Sequence, residues 1–453
     1  MSQDLPLKVQ KYLAKYVSTK WKLESEIDKR YDCAVVVPAI AEYENLVTLL
    51  NSLSENIFNK DYQVIIIFVI NNFQSSLKEV QEDNRESLLL LDAILKNDYT
   101  FHPVVNKFIA SGLSIGFVDA SSAGCEMPEK TGGVGLARKI GMDIALTVFD
   151  YSKPCKQILI CLDSDCTVEK NYIQTIISSF NQNNFNAAVI NYEHPLTGDD
   201  ENIKAIICYE IFLRYYELGL KYAGSQYAFQ TVGSAIACDY EAYIKIEGMN
   251  KQKAAEDFYF LEKLAKHYRV GKIKTTKVFP SPRRSWRVPF GTGQRINRFY
   301  SKSHDEYLLY DPESFNILKE WLELFHSEKI LSGEDYLQKA NKISPELCNF
   351  MSEQNLKEAW NKIISNSKDE LQIKLQKHRW FDGFRTLKLI HHLRDAAFPL
   401  ISMFDALDEM FTYFNIIAKF KRRKSKIPDL EIQKKYLYEL RDLNTKKFDS
   451  IIN

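Results

Sequence analysis

Two short apolar runs, CAVVVP at 33–38 and QVIIIFVI at 63–70, constrain this chain more than any other feature. They are rich in β-branched residues and lack polar alternation, as expected of parallel strands buried on both faces. Between them Leu46, Leu49, Leu50 and Leu53 fall at helical spacing. Strand, helix and strand in that order make a βαβ unit with a right-handed crossover. The alternation continues with a helix near 85–96, a strand at 113–118, a glycine-opened helix over 135–149 and a strand at 157–162. It predicts an α/β domain with a mostly parallel, helix-flanked sheet. Beyond residue 310 the segments 314–326, 353–366, 380–396 and 400–419 have helical periodicity and few β-branched runs. The expected division is a helical lead-in over 1–30, an α/β domain over 31–309 and a mostly helical accessory domain over 310–453.

At 453 residues, two cores are the default expectation. Sixty Lys and Arg against 59 Asp and Glu give a formal charge of +1, so no global attraction to nucleic acid is expected. The eight cysteines include no CxxC pair, which argues against a zinc ribbon or a disulfide framework. The opening residues lack the apolar core of a signal peptide. The strongest apolar run, Val64 to Ile70, is too short to span a bilayer. Together these features predict a cytoplasmic protein with no integral membrane segment.

Four places along the α/β region can carry chemistry. Asp163-Ser164-Asp165 follows the strand QILICL, and ligand sites in open parallel sheets lie at the carboxyl ends of strands. Two acids one residue apart there suit Mg²⁺ or Mn²⁺, which take oxygen ligands and complete their shell with phosphate and water. The plainer alternative is that they cap a helix over 167–180. Gly132-Gly133-Val134-Gly135 opens a helix that carries Arg138, and glycines there allow a nucleotide close to the backbone. Glu256-Asp257 open an amphipathic helix, where dipole stabilisation is the ordinary reading and a general base is the functional one. The loop PSPRRSWRVPFGTGQRI, 280–296, holds Arg283, Arg284, Arg287, Arg295 and Trp286; guanidinium groups suit phosphate, and a solvated basic loop is the alternative.

Taken in order, these features resemble family 2 glycosyltransferases of the GT-A fold. VVVPAIAEYENLVTLLNSL (35–53) is similar to the family's opening strand, nucleotide-contacting turn and first helix. GGVGLARKIGMDIAL is similar to its helix before the metal-binding strand, LDSDC to its DxD, and EDFYFLEKL to its ED motif. The resemblance covers about residues 31–300. It implies an inverting, metal-dependent transfer of one sugar from a nucleotide-diphosphate sugar to an acceptor hydroxyl, on a saccharide, a lipid-linked molecule or a small molecule. In that reading Asp257 is the base, with Glu256 beside it, and Asp165 and Asp163 hold Mg²⁺ or Mn²⁺ with His304 as a third candidate ligand. The donor would meet Pro38, Ala39, Glu42, Asn71, Gly133, Arg138, Asp163, Arg284 and Arg287.

The chain also departs from the family. Asn71-Asn72 stand where an acid is usual, a helical insertion occupies 74–112, and the processive QxxRW pattern is absent in that form. Single-sugar transfer is therefore expected rather than polymer synthesis. Two other classes compete: a nucleotidyltransferase, which should carry a glycine-rich loop where Pro38-Ala39-Ile40-Ala41-Glu42 stands, and a non-catalytic sugar-nucleotide-binding scaffold. In the helical region, adjacent His391 and His392 point in different directions on a regular helix and cannot share a metal. The basic run at 419–426 leaves room for peripheral contact with an anionic surface. His194 reads as an ordinary loop histidine.

Overall fold

The computed structural model describes residues 5–26, 29–253, 255–285, 291–416, 422–424 and 426–443. The chain divides into two compact units, residues 1–195 with 231–294, and residues 196–230 with 295–453.

The first unit holds a nine-stranded sheet: β1 (Glu24–Ser25), β2 (Cys33–Ala39), β3 (Val64–Asn71), β4 (Ser114–Ala120), β5 (Ile158–Cys161), β6 (Cys166–Val168), β7 (Ala187–Tyr192), β8 (Ile236–Asp239) and β9 (Gly271–Pro280). Their spatial order is β1-β4-β3-β2-β5-β8-β7-β9-β6. Strands β2, β3, β4, β5, β7 and β9 run one way, and β1, β6 and β8 run against their neighbours. The sheet is thus mostly parallel, as the alternating pattern predicts. Every residue of β2 and β3 is buried, the condition that selects unbroken apolar runs. In register, Val36 stands between Ile67 and Cys161. The chain leaves β2 toward β3 on one side and later sets β5 on the other, which opens a crevice at their carboxyl ends.

The helix expected over 167–180 begins later. Residues 166–168 pair with β9 as strand β6, and the helix runs Tyr172–Gln182 behind Asn171. The amide of Cys166 donates to the carbonyl of Asp163, so the DSD segment turns back on itself. Asp163 and Asp165 are therefore not caps of that helix.

The second unit is mostly helical and begins earlier than residue 310. It takes in helix Asp200–Tyr222 and the chain from Arg295 onward. Ile207, Ile211, Tyr215 and Leu218 of that helix are buried in one core with Trp321, Phe325, Tyr336 and Trp360, which is why residues so far apart in sequence join one unit. The helix expected over 353–366 starts at Leu356 and runs to Asn366, set off from the preceding helix Pro345–Glu353 by Asn355 at φ 53°. His391 Nε2 lies 2.9 Å from the Tyr310 hydroxyl, while His392 lies 3.7 Å from Glu346 and Glu353, so the two rings do point apart. Of the basic run at 419–426, Arg422 turns inward to Asp405 and Asp408. Among the described residues no helix is long and apolar enough to cross a membrane.

Candidate active site

A cleft of about 550 Å³ lies at the carboxyl ends of β2, β3 and β5. Pro38 and Ala39 line it at the end of β2 and Glu42 just beyond, Asn71 at the end of β3, Gly132 and Gly133 before helix Val134–Val148, and Asp163 and Asp165 after β5. Residues from distant stretches meet there because a parallel sheet brings the ends of its strands to one edge.

The turn after β2 is held open by residues from the insertion. Ala41 sits at φ 50°, a left-handed conformation that costs a residue with a Cβ roughly 1–2 kcal/mol. Its amide donates to Asn84 Oδ1 at 2.9 Å, and the amide of Tyr43 donates to Asp83 Oδ1 at 3.0 Å. Both acceptors lie on helix Lys78–Leu95. The Asn71 amide donates to the carbonyls of Ala39 and Val69, at 2.9 and 3.2 Å. An asparagine there ties two strand ends together, a bond that a carboxylate could not donate.

Behind the lining, one buried arginine joins two of the expected motifs; Arg138, Glu256 and Asp257 are not themselves among the residues that line the cleft. The Arg138 guanidinium pairs with Asp163 and with Glu256, and the residue is 2 % exposed. Burial works against its charge, and the two carboxylates outweigh that effect, so its pKa stands above the ordinary arginine value. A second arginine, Arg283, donates from Nε to Asp165 Oδ2 at 3.0 Å and pairs with Glu42. Four carboxylates, Asp163, Glu256, Glu42 and Asp165, thus pair with two guanidinium groups, and Lys253 adds a further cation to the cleft's lining.

Glu256 and Asp257 open helix Glu256–Ala265 directly after Ala255, which sits at φ 58°. The loop before them packs on the glycine-opened helix: a Cβ on Gly135 would lie 2.4 Å from the carbonyl oxygen of Gln252. Here the glycine serves close backbone packing. Burial raises the pKa of Glu256, with Arg138 opposing. Asp257 is half-buried, and its carboxyl is pushed up to about 7 by burial first and by the neighbouring Glu256 charge second. Its Oδ1 accepts from the amide of Phe258 at 2.7 Å. A carboxylate tuned to neutrality is suited to take a proton.

Other expected residues lie elsewhere. Arg284 is exposed and is not among the residues that line the cleft, whereas its neighbour Arg283 is. Arg287 and Trp286 fall outside the described residues. Arg295 belongs to the second unit, where it pairs with the buried Glu306 at 2.9 Å. His304 also belongs to the second unit; it is exposed, with Nδ1 3.2 Å from the Ser303 hydroxyl. His194 is buried against Tyr192, with Nε2 3.2 Å from the Thr292 hydroxyl. Among the described residues no group of three or more His, Cys, Asp or Glu is placed to hold a metal. The acids that reach the cleft, Asp163 and Asp165, are each paired with an arginine and have side chains 35 % and 26 % exposed, so they would offer an ion two carboxylates at most. That fits an ion which takes its remaining ligands from phosphate and water, and does not fit a closed protein cage.

In sequence Arg283 stood only among the loop's arginines, and the wall after β3, Phe73 with Ser75, Ser76, Leu77 and Val80 of the insertion, was missed. Nothing in the run PRRSWR separates Arg283 from Arg284. The insertion did carry a signal, since it begins where β3 ends.

No protein-family model matches the chain, and no curated protein matches it in sequence. Among solved structures, TarS residues 1–349 from S. aureus with UDP-GlcNAc is 12 % identical with a TM-score of 0.37, covering 80 % of this chain and 92 % of that one. The mannosyltransferase PcManGT from Pyrobaculum calidifontis, with GDP-Man and Mn²⁺, is 12 % identical with a TM-score of 0.34, covering 86 % and 91 %. GalNAc-T7 with UDP, GalNAc and Mn²⁺ is 14 % identical with a TM-score of 0.34, covering 69 % and 55 %. Likeness this partial leaves the chemistry to be argued from the chain's own residues.

Proposed function

We propose that this chain is a glycosyltransferase of the GT-A kind, moving one sugar from a nucleotide-diphosphate donor to an acceptor hydroxyl with inversion. One observation carries the reading: the carboxylate pair Asp163 and Asp165 opens into the cleft at the strand ends, and Arg138 joins that pair to Glu256 and so to Asp257. The cleft takes the donor, with Pro38, Ala39, Asn71 and Gly133 among its walls. A divalent cation held by Asp163 and Asp165, Mg²⁺ or Mn²⁺, would supply positive charge against the donor diphosphate. Arg283, already against Asp165, adds a guanidinium on that side of the cleft. Asp257 removes the proton from the acceptor hydroxyl. The freed oxygen bonds to the anomeric carbon from the face opposite the diphosphate, and the bond from that carbon to the diphosphate oxygen breaks. Arg138 holds Glu256 and Asp163 in register while the charge moves.

The test uses UDP-, GDP- and dTDP-sugars with and without Mn²⁺. One nucleotide class should raise the melting temperature more with the metal than without it, because a ligand that binds only the folded state stabilises it. The same class should release free nucleoside diphosphate when an acceptor is supplied. Release of pyrophosphate would overturn the reading in favour of nucleotidyl transfer, and donor binding without turnover would point to a scaffold.

A further inference from the structure

Helix Leu7–Tyr16 lies ahead of the first strand and carries none of the cleft's lining, yet its Tyr12 is 4 % exposed. The Tyr12 hydroxyl donates to Asp143 Oδ1 at 2.8 Å and accepts from Lys139 Nζ at 3.0 Å. Lys139 is also 3.0 Å from Asp143 Oδ2, and the Tyr243 hydroxyl donates to Asp143 Oδ1 at 2.7 Å. Lys139, Asp143 and Tyr243 are all buried, so this is a closed polar cluster built from three separate stretches of chain.

Two contacts connect the cluster to the active site. Lys139 directly follows Arg138 on helix Val134–Val148, so the residue that pairs with Asp163 and Glu256 and the residue that meets Tyr12 share one rigid element. The Tyr12 hydroxyl also lies against the backbone of Gly248: a Cβ there would be 2.0 Å from that oxygen and 3.1 Å from Lys139 Nζ. Gly248 sits at φ 75° at the head of the loop that ends in Glu256 and Asp257. Farther along, the Asn250 side chain donates to the carbonyl of Glu256 at 3.0 Å.

We infer that Tyr12 is a positioning residue for the base: its hydroxyl, wedged between Lys139 and Gly248, fixes Gly248 and, through Asn250, the start of the helix at Glu256, and with it the aim of Asp257. The assignment of Asp257 as base rests on the proposed glycosyl transfer; the setting of the loop does not. Tyr12→Phe keeps the ring and its packing and removes the wedge. In the full-length protein, amide exchange across 249–257 should then rise while that of β2, β3 and β5 stays unchanged. Turnover should fall about tenfold with the donor KM unaltered, since small misplacements of a reacting group are costly in rate. A second variant, Gly248→Ala, should damage wild type more than it damages Tyr12→Phe, where the oxygen it strikes is gone. Unchanged exchange in 249–257, or strictly additive damage, overturns the inference. Raised exchange with unchanged turnover overturns the catalytic consequence alone. A wild-type protein that transfers no sugar from any donor defeats the functional reading, and the exchange result still decides the role of Tyr12.

Discussion

Two buried arginine–carboxylate sets, one in each unit, look alike in a list of ion pairs and differ in what surrounds them. In the second unit Glu210 is fully buried and accepts from Arg214 Nε and from Arg441 Nε and Nη2, each at 2.8 Å. One carboxylate there is enclosed by two guanidinium groups. In the first unit one guanidinium, Arg138, is divided between two carboxylates, and one of those, Asp163, reaches the cleft. The first arrangement sets two guanidinium groups on one fully buried carboxylate and serves packing. The second leaves negative charge directed at open space, where a cation and an anionic donor can complete it. Buried charge alone therefore marks neither a site nor its absence; the open side decides.

The largest expected effect that tests this contrast is at Asp257. Asp257→Asn should lower turnover by about two to four orders of magnitude, the range for loss of a general base, with little change in donor affinity. Steady-state kinetics beside calorimetric donor titration separates the two; joint loss would make Asp257 part of the donor site instead. Next is Asp165→Ala, which should weaken Mn²⁺-dependent donor binding about a hundredfold, because few protein carboxylates hold the ion. Unchanged affinity by calorimetry would remove the DSD segment from the metal role.

The enclosed set should respond in stability instead. Glu210→Gln should destabilise by about 3 kcal/mol, since it removes a buried negative charge that two guanidinium groups share. Urea unfolding reads that loss, while turnover per folded molecule stays near wild type. A turnover defect larger than the unfolded fraction would blur the contrast between the two sets.

The smallest expected effect is in pH. The Asp257 carboxyl is raised to about 7, so the folded protein holds its proton where the unfolded chain has released it. The resulting stabilisation is complete below the ordinary carboxylate range and is lost as pH rises through about 7. Asp257→Asn cannot lose a proton, so its stability relative to wild type should grow between pH 5 and 8. Turnover of the wild type should rise across the same interval as the base ionises. Melting temperatures of both proteins across that range, with parallel rate measurements, check both trends; a flat stability difference would mean the carboxyl is not held protonated.

Much of the first unit was legible in one dimension because buried parallel strands leave little choice of side chain. The runs at 33–38, 63–70, 113–118 and 157–162 became β2, β3, β4 and β5, and the acids after β5 did arrive at the cleft. Strands β6 to β9 were not foreseen. Two run short, β6 at 3 residues and β8 at 4, and β9 alternates in burial, so their patterns depend on neighbours rather than on composition. The boundary at 310 failed for a related reason: helix Asp200–Tyr222 buries its apolar residues with partners more than a hundred residues away.

The amino-acid sequence by itself determined the order of strands and helices from β2 to β5, the position of the DSD and ED segments, and the carboxylate-rich chemistry proposed for them. Those properties follow from local periodicity and from residue type, which need no partner to be read. Tertiary structure alone decided that Arg138 would bridge Asp163 and Glu256, that Arg283 rather than Arg284 would reach the cleft, and that His304 would belong to the other unit. It also placed Tyr12 against Gly248. Each of these is a meeting of residues remote in sequence, and such meetings are selected by burial and pairing in the folded core, where a charge without a partner is too costly to keep.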